Sequence, residues 1–300
     1  MTALPTMVRR ALARNTPLQR RVERHLTLPR LERRETVPGQ VWGITLVRDE
    51  IDVIGHAIKH LLHQGAHYVL AVDNLSTDGT ADLLQELAAT DPRILVGYDA
   101  LGEHYQGRKM SAIANRVRLA GAEWIIPFDA DEFWFARSGT LTDYLAGVRT
   151  HQVVRAHGTN AYPTQYAGID LEDPDAVVSL APQPMMGKVA IRPTRWVWID
   201  DGNHSALDLG KPTLDGLSFI HIPYRSYSQM ERKFRQGAAA LAAAKGVAPH
   251  IGHHWRESAA QSEETLRRRW ASLIAENRDS VSSTPNRWAS WPEDFRSHNP

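Results

Sequence analysis

The sequence predicts an α/β fold whose mostly parallel sheet is covered by helices on both faces. Three observations carry that expectation. Short apolar runs rich in β-formers alternate with segments of helical periodicity from Val41 to about Phe135. Polar residues stand immediately after several of those runs, where an open parallel sheet presents its ligand-binding edge. The 300 residues, 42% of them hydrophobic, suffice to bury a substantial core.

The elements follow in order. VWGITLV (41–47) reads as a strand, and RDEIDVIGHAIKHLLHQG continues as a helix ending at Gly65. HYVLAVD is a second strand, and STDGTADLLQELAA opens a helix on a cluster of Ser, Thr and Asp that can cap it. RILVGYD gives a third strand and RKMSAIANRVRLAGA a third helix. EWIIPFDADEFWF reads as a fourth strand running into three carboxylates. From about Arg149 to Ile222 the short segments VVRA, VAIRP, WVWID and LSFIHI lie between Pro, Gly and Asp clusters and read as added strands and acceptor loops. SQMERKFRQGAAALAAAK and EETLRRRWASLIAEN read as C-terminal helices before a tail rich in Trp and Pro. The expected division is an Arg-rich extension (1–40), a catalytic domain (41–225) and a C-terminal helical segment with tail (226–300).

Net charge is +1, so no global field points to nucleic acid or an acidic polymer. Residues 1–40 are the local exception, with nine Arg, no Lys and three acids. These Arg are not interleaved with aromatics suited to base stacking, which argues against nucleic acid. A solvated arm and a peripheral contact with an anionic membrane surface or a partner are the two readings. No run is apolar for long enough to be a signal-peptide core or a membrane span. The chain has no Cys, which fits a reducing compartment, and the cytoplasm is the expected location.

Three polar groups end the strands: Arg48-Asp49-Glu50, Asp73-Asn74, and Asp129-Ala130-Asp131-Glu132. Asp129 and Asp131 are two apart at a strand end and can face one hard cation, Mg²⁺ or Mn²⁺, that also touches a diphosphate. An isolated D-x-D is more often a solvated turn. Here the apolar run WIIPF delivers it and Phe133, Trp134 and Phe135 follow.

AVDNLSTDGTADLL resembles the D-D/N-x-S-T-D-G-T element of glycosyltransferase family 2, and GRKMSAIANRVRLAGAEWIIPFDADEF is similar to that family's helix and metal strand. The opening VRDEIDVIGHAIKHLLHQGAHYVLAVDN, the D-x-D-E-F form, KVAIRPTRWVW and HIPYRSYSQMERKFRQG resemble a branch near glycosyltransferase family 92. That branch usually reads Lys-Asn-Glu where this chain has Arg48-Asp49-Glu50. The resemblance spans about residues 41–237. It implies a GT-A fold, a nucleotide-diphosphate sugar as donor, and a glycan, lipid-linked or small-molecule acceptor. It further implies Glu50 and Asp73 near the nucleoside, Asp129 and Asp131 at metal and diphosphate, and Lys109 close to the donor. Asn74 joins the donor group or holds a turn. Arg48 pairs with a phosphate or with Asp49. Asp78 and Thr80 read as helix-capping residues.

His221 follows LSFI directly and Pro223 then breaks the run, so it is a candidate third metal ligand that would favour Mn²⁺; packing in the core competes with this. Inverting transfer needs a base beyond the metal strand, and WVWIDDGNHSA offers Asp200, Asp201 and His204, with Asp201 preferred over a plain polar turn. Other signals are weaker. Gly102-EHYQ-Gly107-Arg108 has P-loop spacing without the Lys-Ser/Thr ending. His250, His253 and His254 read as an exposed loop, and Trp196 and Trp198 as packing or sugar-stacking residues. A nucleotidyltransferase would need a Gly-rich turn near the first strand. A noncatalytic nucleotide-sugar-binding protein would not need both aspartates.

Overall fold

The computed structural model describes residues 16–32, 36–173, 176, 178–193, 195–207, 214–247, 251–278 and 282–283. The expected alternation is present. β2 (Val41–Val47), α2 (Ile54–His63), β3 (Tyr68–Asp73), α3 (Thr80–Thr90), β4 (Ile94–Asp99), α4 (Gln106–Leu119) and β5 (Trp124–Pro127) follow one another. β4, β3, β2 and β5 lie side by side and parallel. Alternate residues of β2 face opposite cores. Val41 and Val47 pack with α2, α3 and α5 (Leu141–Gly147), while Trp42 and Ile44 pack with Met110, Ile113 and Val117 of α4. Burial on both faces explains why these strands read as continuous apolar runs.

The run 123–135 is two strands rather than one. Pro127 has no N–H for a ladder, and the Glu132 N–H turns back to the Asp129 carbonyl at 3.1 Å. β6 (Glu132–Ala136) therefore leaves β5 and joins the far edge of the sheet. There it pairs antiparallel with β11 (Leu214–His221), which sets His221 opposite Glu132. Between these halves stand β7 (Val153–Pro163) and β8 (Val178–Ile191). The full order is β1-β4-β3-β2-β5-β8-β7-β11-β6, with β12 (Ser282–Ser283) beside β8. A separate hairpin, β9 (Trp198–Ile199) and β10 (Ala206–Leu207), packs on α4.

Part of the Arg-rich extension is ordered into the fold. α1 (Pro17–His25) is capped by Thr16, whose hydroxyl accepts the Gln19 N–H at 3.0 Å, and β1 (Leu26–Thr27) pairs with β4. Val22 of α1 packs with Leu101 and Tyr105. Residues 1–15 and 33–35 lie outside the described residues, as does the tail from 284. At the C-terminal end, α6 (Tyr227–Ala243) and α8 (Glu263–Asn277) share a cluster of Met230, Phe234, Leu266, Trp270 and Ile274. His253 and His254, expected in a loop, begin the short helix α7 (His253–Ala259); His250 lies outside the described residues. Among the described residues no helix is long and apolar enough to cross a membrane.

Candidate functional site

The carboxyl ends of β2, β3 and β5 bring the three polar groups together, and the chain pays for the junction in backbone strain. Asp49 and Leu75 both adopt positive φ, 53° and 62°, without being glycine. Asp49 organises the Ser-Thr-Asp-Gly turn. One of its carboxylate oxygens accepts the Thr77 N–H at 2.5 Å and the Asp78 N–H at 3.2 Å, while the other accepts from Gln236 of α6 at 2.5 Å. Asp78 then caps α3 by accepting the Thr80 N–H at 3.0 Å, and Gly79 supplies φ 97°. Asp78 thus takes up the first N–H of the helix as expected, whereas the Thr80 hydroxyl makes no cap but donates to Asp78 and accepts the Glu50 N–H at 3.0 Å, and Asp49 emerges as the hub that sequence reading left undefined.

Asp73 has one oxygen bonded to the Ser76 N–H at 3.2 Å; the other is buried without a hydrogen-bond partner. A buried carboxylate oxygen without a donor is costly, which makes it a place for a ligand N–H or O–H. Arg48 is partly exposed, and its buried Nε lies 3.8 Å from Asp49 without a hydrogen bond. Asn74 faces inward. Its amide donates to Asp99 and to the Leu101 carbonyl, tying the end of β3 to the segment after β4. Lys109 is sealed beneath, with Nζ 2.6 Å from Asp99 and 2.5 Å from the Leu101 carbonyl. Burial lowers its pKa despite Asp99. These bonds give Asn74 and Lys109 structural work under the donor cleft.

Asp129 and Asp131 take different lysines. Lys188 of β8 lies 2.5 Å from Asp129 and 2.7 Å from the buried Glu132; Gln106 and Asn203 also donate to Asp129, at 3.2 and 3.0 Å. Burial lowers the pKa of Lys188, but the two carboxylates outweigh it and the net shift is upward. Burial raises Glu132 more than Lys188 lowers it. Asp131, also buried, holds Lys233 of α6 by a close ion pair, with His221 Nε2 at 3.4 Å and Arg225 Nη1 at 3.9 Å. Burial alone would raise its pKa; Lys233, His221 and Arg225 together hold it well below the usual carboxylate range. Arg225 is buried and saturated. It donates to Asp52 at 2.8 and 3.0 Å, to the Ile222 carbonyl at 3.0 Å and to Glu50. Glu50 is nonetheless raised, because burial outweighs Arg225 and Lys233.

Among the described residues no three His, Asp or Glu side chains converge as a complete metal shell. Two do approach. The ring of His221 bonds Asn160 Oδ1 through Nδ1 at 2.8 Å, which turns Nε2 toward Asp131. A carboxylate and an imidazole so placed fit a divalent ion that a diphosphate would complete.

On the acceptor side, Asn115 and Ser111 of α4 fasten the hairpin. Asn115 exchanges two bonds with the Val197 backbone, at 2.8 and 3.0 Å, and the Ile199 N–H donates to Ser111 at 2.8 Å. The exposed Asp201 accepts the Gly107 N–H at 2.7 Å. Asp200 accepts the Ser205 hydroxyl, and His204 Nδ1 lies 3.0 Å from the Gly187 carbonyl. Burial lowers the pKa of His204 and keeps the ring neutral. Trp196 and Trp198 lie 6.0 Å apart, with Arg108 over Trp198. Lys188, Arg225 and Lys233 are the residues whose place at the site no strand-end pattern announced.

The chain is therefore a mixed α/β protein with an acid-rich cleft at the carboxyl ends of parallel strands. Residues 44–139, about a third of the chain and the part that forms the first two polar groups and the aspartate pair, match the model of Glycosyl transferase family 2. That match supports glycosyl transfer. Solved structures are similar at low identity. S. aureus TarS 1-349 in complex with UDP shows 14% identity over 77% of this chain and 72% of that one, with a TM-score of 0.39. The mannosyltransferase PcManGT from Pyrobaculum calidifontis in complex with GDP-Man and Mn²⁺ shows 15% identity over 98% and 90%, with a TM-score of 0.35. Likenesses at this level add no weight. No curated protein matches the chain significantly.

Proposed function

We propose that this protein moves a sugar from a nucleoside-diphosphate donor to an acceptor hydroxyl, with inversion and with the help of Mn²⁺ or Mg²⁺. The observation that supports it best is the convergence, on the segment matched to family 2, of Asp73, Arg48 and the Asp129–Asp131 turn on one cleft. The unpartnered oxygen of Asp73 receives a donor group of the nucleoside. Asp131 and His221 are the residues that would hold the ion, with Asp129 beside them. When bound, a divalent ion supplies positive charge for the departing diphosphate. Asp201, exposed and anchored on the N-terminus of α4, takes the acceptor proton as the acceptor oxygen bonds the anomeric carbon and the diphosphate leaves with the electron pair of the broken C–O bond. The acceptor is a glycan, a lipid-linked sugar or a small molecule.

Isothermal titration with UDP and GDP tests the donor assignment. Asp73→Ala should weaken binding of the nucleotide that the wild type prefers by roughly tenfold or more, at an unchanged melting temperature. Equal affinity in the two proteins would remove Asp73 from the nucleoside site.

A further inference from the structure

Of the cationic side chains around the cleft, three are closed to a ligand. Lys109 and Arg225 are 1% exposed and Lys188 is 3% exposed, each held by at least two carboxylate or carbonyl partners. Reaching a phosphate would require breaking those buried pairs, a large cost. Arg48, at 35%, is open but sits toward the nucleoside end: a Cβ placed on Gly102 would lie 3.9 Å from its Nη1 and 3.6 Å from the exposed Leu75. Arg232, at 36%, is turned to the Ser-Thr-Asp-Gly turn, donating to the Asp49 carbonyl at 3.1 Å and lying 3.9 Å from Asp78, whereas Lys233 is open beside Asp131. Its side chain is 24% exposed, and beyond the ion pair with Asp131 its Nζ has only loose neighbours, Glu50 at 3.7 Å and the Pro223 carbonyl at 3.5 Å.

The root of Lys233 is fixed and its tip is not. Met230 and Phe234 on either side hold α6 in the apolar cluster, and Ser226 caps the helix by accepting the Gln229 N–H at 3.2 Å. The ammonium sits on a flexible four-carbon stem. Around it stand three carboxylates, Glu50, Asp52 and Asp131, and with the cations Arg225 and Lys233 itself the formal sum is −1 before His221 is counted. Such a cluster repels a diphosphate. A divalent ion changes the sum to +1 and gives Asp131 another cation, so the ammonium becomes free to turn to phosphate.

We propose that Lys233 is the diphosphate-binding cation of the cleft, held on Asp131 in the free protein and released to the phosphates when a divalent ion takes its place. The proposal rests on the glycosyltransferase reading above and deepens it. Lys233 forms and breaks no covalent bond; it holds the diphosphate before and after the sugar leaves.

The test compares UDP with UMP, and GDP with GMP, by isothermal titration in Mn²⁺, together with titration of Mn²⁺ alone. The proteins are the wild type, Lys233→Met and Lys233→Arg. The wild type should bind one diphosphate at least tenfold more tightly than its monophosphate. Lys233→Met should lose most of that ratio with monophosphate affinity unchanged, and should bind Mn²⁺ alone more tightly because Asp131 is no longer shared. Lys233→Arg should keep the ratio in part. A ratio unchanged in Lys233→Met, while both proteins still bind nucleotide, overturns the proposal and leaves the glycosyltransferase reading standing. Loss of monophosphate and diphosphate affinity in equal measure, with a lowered melting temperature, overturns it in favour of a purely structural lysine. A wild type that binds none of the four nucleotides overturns both.

Discussion

Asp131 and Asp129 are two residues apart, yet they respond to different surroundings. Asp131 is buried against Lys233 and Arg225, so neutralising it leaves two cations facing an amide in the interior. Asp131→Asn should cost about 3 kcal/mol or more of stability as well as activity. Asp129 is about one-third exposed, and Asp129→Asn should stay within about 1 kcal/mol of the wild type while activity falls. Urea unfolding of both variants checks this; equal stabilities would place Asp131 outside a closed ion cluster. The resemblance drew attention to the segment that carries Lys233, but sequence could not show that Lys233 and Arg225, about a hundred residues further along, close on Asp131.

The elements hold the D-x-D turn from behind. His60 of α2 donates to the Trp134 carbonyl of β6 at 2.7 Å, and burial lowers its pKa to about 4. The folded value lies below the unfolded value near 6.5, so the neutral ring's contribution is fully present above pH 6.5 and is lost as pH falls from 6.5 toward 4. The loss reaches about 3 kcal/mol. His60→Gln should flatten the stability profile over that window in pH-dependent urea titrations; an unchanged slope would show that His60 protonates freely in the native state. The elements from β2 to α4 were legible because buried parallel strands and amphipathic helices write different periods into the sequence. The split of β5 from β6 was not, since WIIPF and EFWF are both apolar and only Pro127 and the Asp129–Glu132 turn separate them. Residues 149–222 gave weaker signals because β7, β8 and β11 pair across long separations, with register shifts that no local pattern encodes.

At the scale of the whole molecule, the parallel half of the sheet carries Asp49, Asp73 and their turn, and the half around β6 and β11 brings His221 to Asp131. The hairpin β9–β10, clamped to α4 by Asn115 and Ser111, carries Asp201 between its strands. α1 binds this frame through Gln19, which donates to the Arg108 carbonyl at 3.4 Å, so the Arg-rich start is in part a brace for α4. Composition showed the charge of that segment but not its contact. The strand-end groups were found correctly as a neighbourhood, while the inward turn of Asn74 and Lys109 depended on Asp99 and Leu101, residues without a motif of their own. The most direct test of the account is release of nucleoside diphosphate from a panel of UDP- and GDP-sugars, followed by phosphate-coupled detection with Mn²⁺ and after thorough chelation. The account predicts that at least one donor is consumed with Mn²⁺ and that chelation abolishes the reaction; no consumption of any donor, or a rate that survives chelation unchanged, would contradict it.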